Sequence, residues 1–175
     1  MPNIEVSKVR EISVADLNDL CYAAESAIAE GGGFGWLKAP PRQVLESFWR
    51  GALLVPERTL FIGRLDGVTV GSAQLVRPSR NNEAQASSAT LTSNFVAPWA
   101  RGHGLARLLT RTVEEEARRD GFLVLNLDVR ATQEAAIALY EHAGYIKFAT
   151  HPKYAFVNGA WVEGYYYYKD LQADA

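Results

Sequence analysis

Seven short stretches of the chain either alternate apolar and polar residues or are almost wholly apolar, and each predicts a β-strand. They cover residues 4–10, 60–65, 68–76, 89–96, 122–129, 145–148 and 161–171. The dipeptide Asp66-Gly67 predicts a tight hairpin between the second and third strands. Residues 122–129 are nearly all apolar, which is typical of a strand buried on both faces beside a parallel neighbour.

Apolar residues recur at spacings of three and four in four other stretches, which predicts four helices. The first begins after Ser13, because Asp16 three residues on resembles a capping pair, and it ends at Gly31-Gly32-Gly33. The other helix signals are Pro40-Pro41 before the second, Gly104 before the third, Thr132 before the fourth and Gly144 after it. Strand, helix and strand in the order of residues 89–129 predict a right-handed βαβ unit.

The loop of residues 31–41 carries Phe34 and Trp36 on a glycine-rich backbone. One interpretation is a surface loop whose aromatic side chains pack against the core. The other is a loop that closes over substrate, since binding residues are concentrated on loops. On the second interpretation Phe34 and Trp36 are candidate substrate contacts.

The most informative segment runs from a strand into a helix through Arg101-Gly102-His103-Gly104-Leu105-Ala106. A helix start carries amides without a helical partner and a partial positive charge. Gly102 and Gly104 remove the side chains that would keep an anion away, and Arg101 adds a full charge. The segment therefore predicts a phosphate-binding loop.

Two common phosphate-binding patterns do not fit this loop. A P-loop needs Lys and then Ser or Thr after its last glycine, and neither is present. The dinucleotide fingerprint needs Gly or Ala where Arg107 stands. A nucleotide-binding or NAD-binding protein is therefore a weaker interpretation.

Composition narrows the class of protein further. A length of 175 residues predicts a single domain over 1–175, and 48% apolar residues suffice for a core. A net charge of −2 excludes the basic surface of a nucleic-acid or anionic-membrane partner. Cys21 is the only cysteine and no signal segment precedes it, which favours the cytoplasm. His103, His142 and His151 lack metal-ligand spacing, so no metal is predicted.

Two motifs together resemble a known family. Arg101-Gly102-His103-Gly104-Leu105-Ala106 resembles motif A of the GCN5-related N-acetyltransferases, and residues 135–145 resemble their motif B. The resemblance implies an α/β single-domain fold with a mixed sheet of about seven strands and about four helices. It also implies parallel strands that splay apart at the cofactor site. More loosely, Ser72-Ala73-Gln74-Leu75 and the C-terminal residues 152–171 resemble the tabtoxin-resistance acetyltransferase branch.

The family resemblance implies acetyl-CoA as the cofactor and assigns residues to it. Phe95 and Val96 would pair with the pantetheine arm through their main chains. The pyrophosphate would bind the amides of Arg101, Gly102, His103, Gly104, Leu105 and Ala106. Gln133 stands where the family usually has an asparagine that contacts the cofactor. Tyr140 matches the tyrosine that protonates the leaving thiolate, although a core tyrosine with a satisfied hydroxyl is the alternative.

The general base is harder to assign. Many family members carry a glutamate on the strand before motif A, but residues 86–96 contain no acidic residue. Asp128, at the end of the next strand, is the best remaining carboxylate, with Glu83 and Glu25 as weaker candidates. A helix cap or loop acceptor is the competing interpretation of Asp128.

These observations predict an acetyl-CoA-dependent enzyme that acetylates the primary amine of a small, amino-acid-like metabolite or toxin. The transfer would proceed by direct attack through a tetrahedral intermediate. A protein or peptide N-acetyltransferase and a non-catalytic acetyl-CoA-binding module are the alternatives. No nucleic-acid or membrane partner is predicted, and a homodimer is left open.

Overall fold

Seven strands form one mixed sheet in the order β1-β2-β3-β4-β5-β7-β6, with four α-helices packed against it. The computed structural model describes residues 1–32 and 34–172. The elements are β1 Ile4–Val9, α1 Val14–Ala29, α2 Arg42–Leu54, β2 Arg58–Leu65, β3 Val68–Val76, β4 Ser88–Val96, α3 Leu105–Arg119, β5 Val124–Arg130, α4 Glu134–His142, β6 Ile146–Val157 and β7 Ala160–Asp170. This architecture confirms the predicted fold class, including its strand and helix numbers.

The start and end of α1 follow the predicted signals. The amide of Asp16 donates to the Ser13 hydroxyl at 3.0 Å, so Ser13 caps the helix as predicted. Gly31 follows the helix with a positive φ of 84°, which glycine adopts without strain. Gly33, part of the same predicted signal, lies outside the described residues.

The last two strands differ from the prediction. Residues 145–148 were expected to be a short strand followed by a loop, but β6 continues to Val157 and forms a hairpin with β7. Asn158 and Gly159 both have positive φ, as the tight hairpin turn requires. Pro152 is tolerated because it lies in an irregularity of the edge strand β6, between the paired residues His151 and Ala155, where no ladder bond is lost. The polar run around Pro152 concealed this strand in the sequence.

The centre of the sheet opens where β4 meets β5. Every neighbouring pair of strands is antiparallel except this one. β4 and β5 pair only through Ser88–Thr90 and Val124–Asn126, and beyond these residues they separate. The predicted splay of the parallel strands is therefore present, and it leaves a gap along the second half of β4.

The core lies on both sides of this sheet. Four consecutive residues of β2, Leu60 to Gly63, are buried, which requires cover on both faces. α1 packs on β3 and β4, and α3 lies across β1 to β4. Cys21 is fully buried in the core, and burial raises the pKa of its thiol to about 11, as expected for a packing residue. Within residues 1–32 and 34–172, no helix is both long and apolar enough to cross a bilayer.

Candidate active site

A groove of about 1450 Å³ follows the gap between β4 and β5. Its walls include residues 30–32 and 34–37 after α1, 91–96 of β4, 100–102 and 104–107 at the start of α3, 127–130 of β5, 132–136, 139 and 140 at α4, and 154–157 of β6. All but one of the site residues predicted from the sequence contribute to these walls. The exception is His103, whose exposed side chain is outside the groove. Glu25 and Glu83 do not line the groove either.

The first turn of α3 forms one end of the groove. Gly104 precedes the helix in the left-handed region, with φ of 83°, and the first helical bond runs from Leu108 N to the Gly104 carbonyl at 3.0 Å. The amides before Leu108 therefore have no partner within the helix. Leu105 is buried and packs over Gly63 of β2, which holds this turn against the sheet. Open space surrounds Gly102, so an anion can reach the amides.

The Arg101 guanidinium lies beside this turn. Its Nη1 donates to Glu30 Oε2 at 2.6 Å, and both side chains are about half exposed. A surface pair of this kind is weak, because solvent screens both charges. Arg101 is therefore able to exchange Glu30 for a phosphate.

The two strand residues predicted to contact the cofactor arm face different ways. The Ala97 amide donates to the Val70 carbonyl of β3 at 2.7 Å, and the Phe95 carbonyl lies against Gly71 of β3. Main-chain groups of successive residues in a strand point to opposite edges. The amide and carbonyl of Val96 therefore face the gap. The main-chain groups of Phe95 face β3 instead, so they do not reach the gap, and its side chain packs into the core.

Tyr140 lies in the middle of the groove wall and is held by Asn94 of β4. Its side chain is only 6% exposed, and Asn94 Nδ2 is 3.2 Å from its hydroxyl oxygen. The same Nδ2 lies 2.9 Å from Thr110 Oγ1, and Thr110 donates its proton to the Ala106 carbonyl at 2.9 Å. Because the Thr110 oxygen must then accept, Asn94 presents its NH2 group to both hydroxyls.

This arrangement determines where the Tyr140 proton points. The phenol oxygen accepts from Asn94, and no residue in the described part of the chain accepts the phenol proton. Burial raises the pKa of Tyr140 to about 12, against the lowering effect of the Asn94 bond, and the Asp128 charge raises it further. Tyr140 therefore stays protonated at neutral pH, and its proton is available to a group in the groove.

Asp128 of β5 also lines the groove and contacts a tyrosine of β6. The Tyr154 hydroxyl donates to Asp128 Oδ2, while Oδ1 has no protein partner among residues 1–32 and 34–172. The Tyr154 ring lies directly on Gly164 of β7, where any Cβ would overlap it. Burial, and then the bond to Asp128, raise the pKa of Tyr154. Asp128 is therefore a strand residue that accepts a hydrogen bond from a neighbouring strand, and it caps no helix.

The loop after α1 crosses the groove and is tied to its far wall. Gln133 Nε2 donates to the Gly31 carbonyl at 2.7 Å, and Arg130 Nη2 donates to the Phe34 carbonyl at 2.8 Å. Phe34 is buried against Phe95, with ring centroids 4.8 Å apart, while Trp36 is half-buried. The aromatic side chains are thus pinned to the core and also border the groove, so the two interpretations of this loop are compatible.

Three residues of the site were missed in the sequence: Asn94, Arg130 and Tyr154. Asn94 lies in a strand that alternates apolar and polar residues, so its polar side chain fits that pattern and does not indicate a role in the site. Arg130 follows Asp128 by two residues on β5, so the same strand periodicity places both on one face. Tyr154 gives no signal in the sequence, because the pattern there predicts a loop rather than the strand that carries it.

Comparison with known proteins agrees with this geometry. A profile of the Acetyltransferase (GNAT) family matches residues 17–145. The chain is 62% identical over 133 residues to an uncharacterized N-acetyltransferase from the hisH-hisA intergenic region of Azospirillum brasilense. That alignment covers 76% of this chain and 79% of the relative.

Two solved structures share the fold. An N-acetyltransferase from Staphylococcus aureus Mu50 matches with a TM-score of 0.81 and 20% identity, over 97% of this chain and 99% of that one. The Salmonella typhimurium protein yncA, whose structure contains its cofactor acetyl-CoA, matches with a TM-score of 0.77 and 18% identity. The match to yncA covers 96% of this chain and 94% of that chain.

The family profile and the relatives, together with the splayed sheet and its groove, identify an acetyltransferase that uses acetyl-CoA. The chain belongs to the GNAT family of N-acetyltransferases. The family resemblance, the enzyme class and the cofactor predicted from the sequence are confirmed.

Proposed function

We propose that the enzyme acetylates the primary amine of a small, amino-acid-like molecule. The observation that carries this proposal is the partial enclosure of the groove beside Asp128, where the loop after α1 and β6 both contact β5. Arg130 ties the loop after α1 to β5 through the Phe34 carbonyl, and Tyr154 of β6 reaches Asp128 on β5. A small molecule fits such an enclosure more readily than an extended peptide, which needs an open channel.

The residues present fit acetyl-CoA. The amides before Leu108 and the Arg101 guanidinium would hold the pyrophosphate, since both favour an anion. The main chain of Val96 would pair with the pantetheine arm in the gap that β5 leaves, and Gln133 would lie beside it. When bound, acetyl-CoA supplies the activated thioester carbonyl that an amine attacks directly.

Tyr140 is the proposed general acid. A departing thiolate needs a proton, and the Tyr140 hydroxyl carries one that no described protein group accepts. Asn94 is a positioning residue in this proposal, because it holds the phenol oxygen and leaves the O–H bond to face the groove.

Asp128 is the proposed base. An amine must lose a proton to attack, and the unperturbed pKa of a lysine-like amine is about 10.4. Oδ1 of Asp128 can accept that proton, while the Tyr154 hydroxyl holds Oδ2 and fixes the carboxylate in place.

A screen of the purified enzyme tests the proposal. Acetyl-CoA is offered with a panel of amino acids, polyamines and small amines beside a panel of peptides, and the release of coenzyme A is followed. Turnover on small amines that exceeds turnover on peptides supports the proposal. Turnover on peptides alone would contradict it, and acetyl-CoA binding without any turnover would identify a binding module.

Four further predictions remain part of the proposal. The match to residues 17–145 is compatible with a single domain over 1–175. A homodimer would cover exposed apolar side chains of β6, Ile146, Phe148 and Phe156, and analytical ultracentrifugation tests it. The cytoplasmic location and the resemblance to the tabtoxin-resistance branch also stay predictions.

A further inference from the structure

Arg130, the last residue of β5, is a half-buried cation for which the described part of the chain supplies no carboxylate partner. Its Nη2 donates to the Phe34 carbonyl at 2.8 Å. Throughout residues 1–32 and 34–172, no Asp or Glu oxygen forms an ion pair with its guanidinium. A partly buried charge without a counter-ion is unfavourable, and a guanidinium fork suits a carboxylate in particular. Arg130 lines the groove, where a ligand can supply that carboxylate.

Asp128 and Arg130 stand on one face of the strand, two residues apart. Such residues are about 6.6 Å apart along a strand, so a negative and a positive group face the groove side by side. Arg130 is opposite Gly164 of β7, and the Tyr154 ring lies on that glycine. Tyr154 therefore borders the charged pair, and its hydroxyl donates a hydrogen bond to Asp128.

An aromatic wall borders the same end of the groove. Phe34, Trp36 and Phe48 all line it, and their ring centroids are 5.2 to 6.1 Å apart. The Phe34 carbonyl is the group that Arg130 contacts, so the aromatic wall and the cation are adjacent. Trp36 and Phe48 are only partly buried and offer apolar surface to a ligand.

From this arrangement we infer that the acceptor is a free α-amino acid with an apolar side chain. Arg130 binds its carboxylate, Asp128 binds its ammonium group and then takes the proton, and the aromatic wall receives its side chain. The zwitterion matches the order of charges on β5, with the ammonium group on the Asp128 side. Asp128 is also near enough to Tyr140 to raise the pKa of that phenol, so the amine lies toward the reaction centre. This inference rests on the proposed function and specifies its substrate.

The test compares two acceptors that differ only in the carboxylate, phenylalanine and phenethylamine, on wild type and Arg130→Gln. A charge-assisted hydrogen bond to a carboxylate contributes about 1.5–3 kcal/mol, or about 10- to 150-fold. Arg130→Gln should therefore lower kcat/KM for phenylalanine by at least tenfold, mainly through KM. Phenethylamine turnover should change less than threefold. Arg130→Lys keeps the charge and should recover part of the loss.

A control variant and the pattern of losses on the two acceptors distinguish failure of this inference from failure of the proposed function. Arg111→Gln, on the exposed face of α3, should leave both acceptors unchanged. Equal losses for phenylalanine and phenethylamine would mean that Arg130 acts only through the Phe34 carbonyl, which overturns the inference. Preference of the wild type for phenethylamine overturns it as well, and in both cases the proposed function stands. No turnover of any small amine overturns both.

Discussion

Replacing Tyr140 with phenylalanine separates chemistry from structure at this site. The ring that packs edge-on against Tyr145, with centroids 5.7 Å apart, is kept. The hydroxyl is lost, but Asn94 Nδ2 keeps its 2.9 Å bond to Thr110, so no buried donor loses all its partners. The free energy of unfolding should therefore fall by no more than about 1 kcal/mol.

The catalytic effect should be much larger than this structural one. Loss of a general acid typically lowers the rate by about 10²–10⁴-fold. The change removes no hydrogen bond of Arg101 or of the amides before Leu108, so the Kd for acetyl-CoA should stay within about threefold. The assay follows kcat with the best acceptor at saturating acetyl-CoA, and calorimetry measures the Kd.

The pH dependence gives the same prediction a second readout. The raised pKa of about 12 keeps Tyr140 protonated up to high pH. The acid is then active below that pKa and lost only above it, so kcat of the wild type should not fall on the alkaline side below about pH 11. Wild-type turnover by Tyr140→Phe, or an alkaline limb near pH 8 that this variant removes, would refute the reasoning.

Three other predictions concern the cofactor turn, the base and the buried ion pair. Gly104→Asp should raise the Kd for coenzyme A more than tenfold by calorimetry, because the new carboxylate repels the pyrophosphate. Gly121→Asp is the control: Gly121 has a similar positive φ but lies outside the groove, so this change should leave the Kd for coenzyme A unchanged. Asp128→Asn should lower kcat/KM most at low pH, whereas a loss independent of pH would indicate a structural role. Lys169→Met removes the buried partner of Glu114 at 3.1 Å, so urea unfolding should show a loss of about 3–5 kcal/mol, and a loss under 1 kcal/mol would contradict a buried pair.

The sequence predicted the parts of this fold that local patterns control. Ser13 and Gly104 mark helix starts through backbone chemistry within a few residues, and both signals are present in the structure as expected. The strand β5 was predicted because burial on both faces leaves an apolar run. These features need no knowledge of distant residues.

Long-range contacts explain what the sequence did not predict. The length of β6 depends on pairing with β7 across the Asn158-Gly159 turn, and Pro152 concealed that pairing. Asn94 matters because Tyr140 lies 46 residues away along the chain and 3.2 Å away in space. A contact between residues so far apart in the chain leaves no local sequence pattern, so the sequence gives no reason to assign Asn94 a role in the site.

The short pairing between β4 and β5 makes the sheet two half-sheets joined by three residue pairs and by the Asn126 bond to Ser88 at 2.7 Å. In the proposed binding mode, a cofactor arm in the gap would add main-chain pairing that the polypeptide lacks, so binding of the cofactor would also stabilise the contact between the two half-sheets. At a concentration of 100 times its Kd, a ligand adds about 2.7 kcal/mol to the folded state. Amide hydrogens of β5, β6 and β7 should then exchange more slowly with acetyl-CoA present, because the bound cofactor would link these strands to β4 where the two halves of the sheet separate.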